Sequence, residues 1–380
     1  MTDFDRGVPR RGSGSVKWDT VPAGVIPLSI ADADWATSPA ALAAARERLT
    51  GHPVFGYSRG SEGLNEAVAA WYGRVYGVTA EESWLVTLPG VVPALAALAR
   101  LVPGDALANA PNYPLLLEAP ARAGKRMLVS PLRENGAGAL LAYEPDFEDM
   151  ARKAAEGAGI FYLCNPHNPT GHVYTRGELE RFADFAWARG LIVVSDEIHG
   201  EIVYGGARTH TPFFAVSPEN SVTLTSPGKI GNMPGMPVAV AVVPNEELRA
   251  KVCEMSFWLG SAGAVYCAAG RGAYSPAADE WKAGQLAYLR GSRDYLAAEM
   301  PRRFPRARFT VPEGTYLQWL DLSAYGLGDT AAALLERAKV ALSGGERFGA
   351  SGDHVRLNFA CPRAALAEAL DRLEASLRIV

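Results

Sequence analysis

The chain predicts an α/β fold in which a mostly parallel sheet is covered by helices, with a smaller α+β C-terminal domain and an N-terminal arm. Three observations carry that reading. Short apolar runs rich in β-branched residues recur between helix-length segments over most of the chain, the alternation expected of a parallel sheet buried on both faces. Near Pro276 the texture changes to helix, strand, helix, strand and helix. At 380 residues the chain is also too long for one ordinary core. The expected units are residues 1–46, an arm and first helix packing with the small domain, then a large domain over 47–275 and a small domain over 276–380.

Residues 1–36 hold a Gly, Ser and Arg-rich start and then read as an extended arm with one short strand, rich in Trp and Asp. Ser38-Pro39 caps a helix through about residue 49, with proline at its first position. Leu64, Val68, Trp71, Tyr72 and Val75 then mark a helix over 63–76. A strand over 83–88, a turn over 89–93 and a helix over 94–101 follow. Strands are expected at 106–110, 126–131, 159–164, 192–195 and 222–225, with an acidic-led helix at 144–155. The tail reads as a helix over 277–300, an alternating segment over 309–322, a helix over 330–339, a strand over 354–359 and a last helix over 363–377.

Composition narrows the function classes. A net charge of −4 gives no electrostatic footprint for nucleic acid or an anionic membrane. No apolar stretch approaches the roughly 20 residues that span a bilayer, and the polar start Met1-Thr2-Asp3-Phe4-Asp5-Arg6 lacks a signal peptide's apolar region. A soluble cytoplasmic protein is expected. Cys164, Cys253, Cys267 and Cys361 show neither C-x-x-C nor Cys/His ligand spacing, so they read as free thiols and no metal site is expected.

Four loops after expected strands carry the chemistry. Gly90-Val91-Val92 reads either as an ordinary turn or as a helix N-terminus whose free N–H groups and dipole favour a phosphate. Asn165-Pro166-His167-Asn168-Pro169-Thr170-Gly171 is a rigid loop that can aim an Asn amide at an oxygen. Asp196 ends a buried strand, where a carboxylate is costly unless it holds a cation, a metal or a protonated ring. An Asp196/His199 acid–base couple is another reading; a metal there lacks further ligands at suitable spacing. Lys229 lies in Ser226-Pro227-Gly228-Lys229-Ile230-Gly231-Asn232-Met233-Pro234-Gly235. Taken by itself, that decapeptide reads as a solvated loop. On one sheet edge with the other three, its lysine reads as a Schiff-base nucleophile whose pKa burial lowers. A phosphate-bearing aldehyde with a cationic ring nitrogen, pyridoxal 5'-phosphate, needs that set.

The sequence resembles fold-type I pyridoxal-phosphate enzymes of the aminotransferase class I/II superfamily, and most closely their cystathionine β-lyase-like C-S lyase branch. The resemblance runs from about Lys17 to the C-terminus. It is carried by Lys17-Trp18-Asp19, Ala31-Asp32-Ala33-Asp34-Trp35, Phe55-Gly56-Tyr57, Pro89 to Ala94, the Asn165 to Gly171 loop, Asp196-Glu197-Ile198-His199, Gly314 to Asp321 and Arg356 to Arg363. It implies that Lys229 binds the cofactor aldehyde and acts as general base, and that Asp196 partners the ring nitrogen. Asn168 would bond the ring hydroxyl oxygen, with His199 nearby, and Tyr113 would stack on the ring. Gly90, Val91, Val92 and Ser226 would hold the phosphate. Tyr57 would reach the phosphate or substrate from the neighbouring subunit of a homodimer. Arg356 would clamp the substrate α-carboxylate, with Asn168, Asp32, Ala33 and Trp35 on the substrate side. The activity implied is β-elimination of a thiol from an S-substituted L-cysteine. Rival readings are an aminotransferase, a specialised biosynthetic enzyme coupling decarboxylation to deamination, and a regulator that keeps the fold. The chain departs from its relatives at Gly228, where serine is common, at Ile230 to Pro234, where a Thr-Phe-Asn-Ile type is common, and at Ala33, where many carry methionine. These changes bear on the substrate more than on the cofactor.

Overall fold

A computed structural model describes residues 2–51, 53–57, 61–206 and 208–378. Seven strands form the central sheet: β1 (Leu85–Leu88), β2 (Asp105–Ala110), β3 (Met127–Pro131), β4 (Ala158–Cys164), β5 (Ile192–Asp196), β6 (Ser221–Thr225) and β7 (Ala239–Val242). Their spatial order is β1-β7-β6-β5-β4-β2-β3, and only β7 runs against the others. Every residue of β6 and β7 is buried, as is β4 from Ile160 onward. Helices on both faces explain why these strands read as continuous apolar runs.

Parallel pairing brings the carboxyl ends of the strands to one edge. Cys164 lies beside Asp196, and Asp196 beside Leu224. The loops bearing Asn168, Asp196 and Lys229 therefore leave neighbouring strands at the same level, the usual place for a ligand in such sheets.

The small domain has its own antiparallel sheet of β8 (Arg308–Phe309), β9 (Leu317–Asp321), β10 (Ser343–Gly344) and β11 (His354–Asn358), ordered β8-β9-β11-β10. Helices Asp279–Arg303, Thr330–Ala338 and Arg363–Leu377 supply Leu289, Leu296, Leu334, Leu366 and Leu370 to the core beneath it. The arm joins this core through Phe4, Leu28 and Trp35, and Ile26–Pro27 pairs in parallel with Val340–Ala341.

Several expectations need correction. The first helix, Pro39–Gly51, touches the segment assigned to the small domain only at the turn Pro276–Ala278 and packs mainly elsewhere. Ala41 and Ala45 join the cluster of Leu64, Cys267, Ala269 and Ala273, so it lies against the large-domain helix Ala264–Tyr274. Gly272 permits the approach: a Cβ there would stand 2.4 Å from the Ala40 carbonyl oxygen. Val16–Asp19 is a helical turn rather than extended arm, capped by Ser15. The helix expected over 144–155 begins at Phe147, because Asp146 caps it by accepting from Glu148 and Asp149 N–H, and Tyr143–Glu144 is a short strand. Strand β7 was not anticipated; its run is as apolar as its neighbours', and nothing local marks its reversed direction.

Candidate active site

Each strand end delivers one part. After β1, Gly90 takes φ +149°, in a region that favours glycine, and starts the helix Val91–Leu98 with its first N–H groups free of side-chain caps. Val91 is buried, whereas Val92 is exposed on that helix. After β2, Asn112 Oδ1 accepts from the Tyr113 N–H at 2.8 Å and fixes the start of the Tyr113 side chain. Burial and the nearby Asp196 push the Tyr113 phenol up to about 12, so it is neutral at physiological pH.

Loop Asn165 to Gly171 follows β4, and its Asn168 Oδ1 accepts from Arg356 Nη1 at 3.0 Å. With the amide oxygen so engaged, the amide N–H2 group is left as the donor toward a ligand oxygen. β5 ends on Asp196, 2% exposed, whose carboxylate accepts the Ile198 N–H at 3.2 Å. Burial raises its pKa to about 6, although the Ile198 N–H and the positive Lys229 pull the other way. His199, one turn on, meets the Tyr316 ring edge-on at 5.8 Å between centroids. Its Nδ1 is buried and has no partner among the described residues, and burial holds the ring neutral.

The lysine loop follows β6. Ser226 Oγ donates to the Val238 carbonyl at 2.7 Å and accepts from the Gly228 N–H at 3.1 Å, so this hydroxyl shapes the loop itself. Lys229 Nζ donates to the Ala31 carbonyl at 2.7 Å. Burial first, and then the positive Arg356, lowers its pKa to about 8, against the pull of Asp32 and Asp196. A substantial neutral fraction near physiological pH follows, as a nucleophile or base requires.

Arg356, on β11, completes the group from the small domain. It is 5% exposed and donates through Nη2 to the Ser29 carbonyl at 2.8 Å and Ser343 Oγ at 3.4 Å. Its guanidinium lies 4.8 Å from the Phe348 ring centroid, and its buried Nε has no partner among the described residues. Burial lowers its pKa to about 10, which leaves it charged.

The other expected residues lie around this group or away from it as follows. Asp32 pairs with Arg10 at 2.8 Å and lies 3.7 Å from Lys17 Nζ, while its buried Oδ1 accepts no hydrogen bond among the described residues and its charge is felt at Lys229. Trp35 donates through its indole to Gln285 at 2.9 Å and packs against Phe4 and Tyr288, spending its ring on the small-domain core. Ala33 is buried, its N–H donating to Asn232 Oδ1 at 3.1 Å. Tyr57 is fully exposed, and the chain's own fold does not bring it to this group.

Three residues gain roles that the sequence reading did not assign. Asn232, at φ +46°, also donates through Nδ2 to the carbonyls of Ala33 at 3.3 Å and Trp35 at 2.6 Å. It thereby ties the lysine loop to the arm. Asn358 Nδ2 donates to the carbonyls of Ile30 at 2.6 Å and Asp32 at 2.8 Å, and Tyr316 donates to that of Ala31 at 2.9 Å. Asn232 stood amid Gly, Met and Pro three residues after the lysine, and Tyr316 and Asn358 lay in motifs that carried the resemblance, but none of the three had a role assigned.

The donor set fits pyridoxal 5'-phosphate. Asp196 is a buried carboxylate with one N–H donor and suits a cationic ring nitrogen. The orphaned His199 Nδ1 and the Asn168 amide suit ring oxygens, the Gly90 turn suits a phosphate, and the depressed Lys229 suits an aldehyde.

Comparison with known proteins agrees. The profile of the family described as aminotransferase class I and II matches residues 23–373. The chain is 32% identical to cystathionine beta-lyase PatB of Bacillus subtilis (strain 168), over 99% of this chain and 100% of that one. It is 32% identical to protein MalY of Escherichia coli (strain K12), over the full length of both. The crystal structure of the PLP-bound C-S lyase from Staphylococcus hominis superposes with a TM-score of 0.91 at 29% identity, covering 99% of this chain and 98% of that one. The chain belongs to the aminotransferase class I and II family and is a pyridoxal-phosphate enzyme.

Proposed function

We propose that the protein is a carbon–sulfur β-lyase that converts an S-substituted L-cysteine and water into a thiol, pyruvate and ammonia. The observation that carries it is the convergence of Lys229, Asp196 and the Asn168–Arg356 pair at one sheet edge, in a chain whose full-length relatives include a cystathionine beta-lyase. Arg356 binds the substrate α-carboxylate, its planar fork matching two oxygens. Neutral Lys229 Nζ takes the Cα proton, and the resulting ammonium is available to protonate the departing sulfur. Asp196 holds the ring nitrogen's proton through its ionised carboxylate. When bound, pyridoxal phosphate supplies the electron sink for the charge left on Cα. His199, kept neutral by burial, and the Asn168 amide orient the ring oxygen without adding charge.

The reading extends to a homodimer in which Tyr57 of one subunit reaches the site of the other. Its support is the run of exposed apolar residues Val54, Phe55 and Tyr57, with exposed Phe257 and Trp258 elsewhere on the surface. A cytoplasmic location is part of the same proposal, supported by four free cysteines. Among the described residues no helix is long and apolar enough to cross a membrane.

The test follows thiol and pyruvate from S-alkyl cysteines with and without a keto-acid acceptor. Both products without acceptor are expected; conversion only with acceptor would make the protein an aminotransferase instead.

A further inference from the structure

The thiol half of the substrate is where the chain's own residues add something. The turn Gly345–Phe348 lies on the end of β2: the Asn112 N–H donates to the Phe348 carbonyl at 2.9 Å, so Arg347 and Tyr113 flank one main-chain hydrogen bond. Gly349, at φ +78°, makes the close approach possible, since a Cβ there would stand 3.1 Å from that of Ala110. On its other side the turn presents the Phe348 ring to the Arg356 guanidinium. Arg347 is therefore the exposed neighbour of a residue whose main chain meets the Tyr113 turn and whose ring meets the Arg356 guanidinium. Its positive charge is felt by both, lowering the Tyr113 phenol against the effect of burial and lowering Arg356 further.

Arg347 is exposed and makes no hydrogen bond or ion pair among the described residues. The adjacent Glu346 does not answer it, because the Glu346 carboxylate lies beside Gly352. Nor does the cofactor phosphate claim it. The phosphate turn at Gly90 and the Ser226 loop leave β1 and β6, with β5 and β4 between β6 and the β2 edge where Arg347 stands.

We propose that Arg347 selects substrates whose sulfur substituent ends in an anionic group, a carboxylate being the simplest. Arg356 takes the α-carboxylate in the buried floor, and Arg347 takes the second anion at the rim. The proposal rests on the lyase reading above. Because the residue is exposed, the preference is modest and sensitive to salt.

The test compares S-(2-carboxyethyl)-L-cysteine with its neutral near-isostere S-(2-carbamoylethyl)-L-cysteine. The holoenzyme's visible spectrum is titrated with each to give dissociation constants, and thiol release is followed in parallel. Wild type is expected to bind the carboxylate about fivefold more tightly, with the preference shrinking at high salt. Arg347→Gln brings the ratio to about one, and Arg347→Lys restores part of it. An equal ratio in wild type and Arg347→Gln, or no wild-type preference, would overturn the proposal. If neither compound releases thiol, the lyase reading fails, while the spectral titration still decides what Arg347 selects.

Discussion

Two charged clusters flank the Asn165 to Gly171 loop, and they are built on opposite rules. On the site side, Asp196, Lys229 and Arg356 make no ion pair among the described residues, and His199 Nδ1 and Arg356 Nε are buried without partners. Just beyond the loop, His172 bridges Glu178 and Glu313, each at 3.1 Å, while Arg208 reaches the same two carboxylates at 3.0 and 2.9 Å. There every charge is answered. Unpaired buried charge costs stability and is tolerated where a ligand will answer it, whereas the paired cluster ties the segment after the loop to Glu313, just ahead of β9.

The largest expected effect separates the two directly. Asp196→Asn should lower lyase activity at least about 100-fold, because an amide cannot hold the ring nitrogen's proton by charge. The same change should stabilise the cofactor-free protein. Burial raises the Asp196 pKa from 3.8 to about 6, so the folded state binds more protons than the unfolded state across that window and loses stability as pH rises through it. The loss amounts to about 3 kcal/mol. Thermal melts of the apoprotein from pH 4 to 8 should show that fall in wild type and not in Asp196→Asn. A variant less stable at pH 8 would mean the carboxylate is structurally satisfied after all.

A smaller effect is expected where the lysine loop meets the arm. Asn232→Ala removes three hydrogen bonds to Ala33 and Trp35 and places alanine at φ +46°. A destabilisation of about 2–3 kcal/mol by denaturant titration is expected. Protease cleavage in the first 36 residues should accelerate with it. Unchanged cleavage would show that the arm is held without Asn232.

The paired cluster should yield the smallest change. The two glutamates raise the His172 pKa above 6.5 against the cost of its burial. Its contribution is fully present below 6.5 and lost as pH rises through the raised value. His172→Gln should cost about 1 kcal/mol at pH 6 and nothing at high pH. A melting-temperature difference that does not vary with pH would argue against protonation as its source.

Much of this was legible in the sequence, and the division has physical causes. Cys164, Asp196 and Thr225 end apolar runs, and parallel pairing in register leaves their loops no other place than one edge. The Asn-Pro-His-Asn-Pro-Thr-Gly loop and the Arg356 strand announced themselves by composition. Hidden were features that depend on who faces whom. Asp32 and Trp35 read as substrate contacts because they lie in a distinctive motif; their partners Arg10, Lys17 and Gln285, distant in sequence, could not be read from it. The unusual Gly228 to Pro234 stretch proved structurally specific. A Cβ on Gly228 would stand 3.2 Å from Ser226 Oγ, and one on Gly231 would stand 2.8 Å from the Pro227 carbonyl oxygen. The alanine-rich first helix carried no label for its partner, and only the small surface of Gly272 opposite explains its choice.

The central claim is that Lys229 is the residue that takes the cofactor. Reducing the holoenzyme with borohydride and locating the trapped pyridoxyl group by peptide mass spectrometry tests it without reference to substrate. The group is predicted on the peptide containing Lys229; finding it on another lysine, or on none in a protein that retains the cofactor's absorbance, would contradict the assignment.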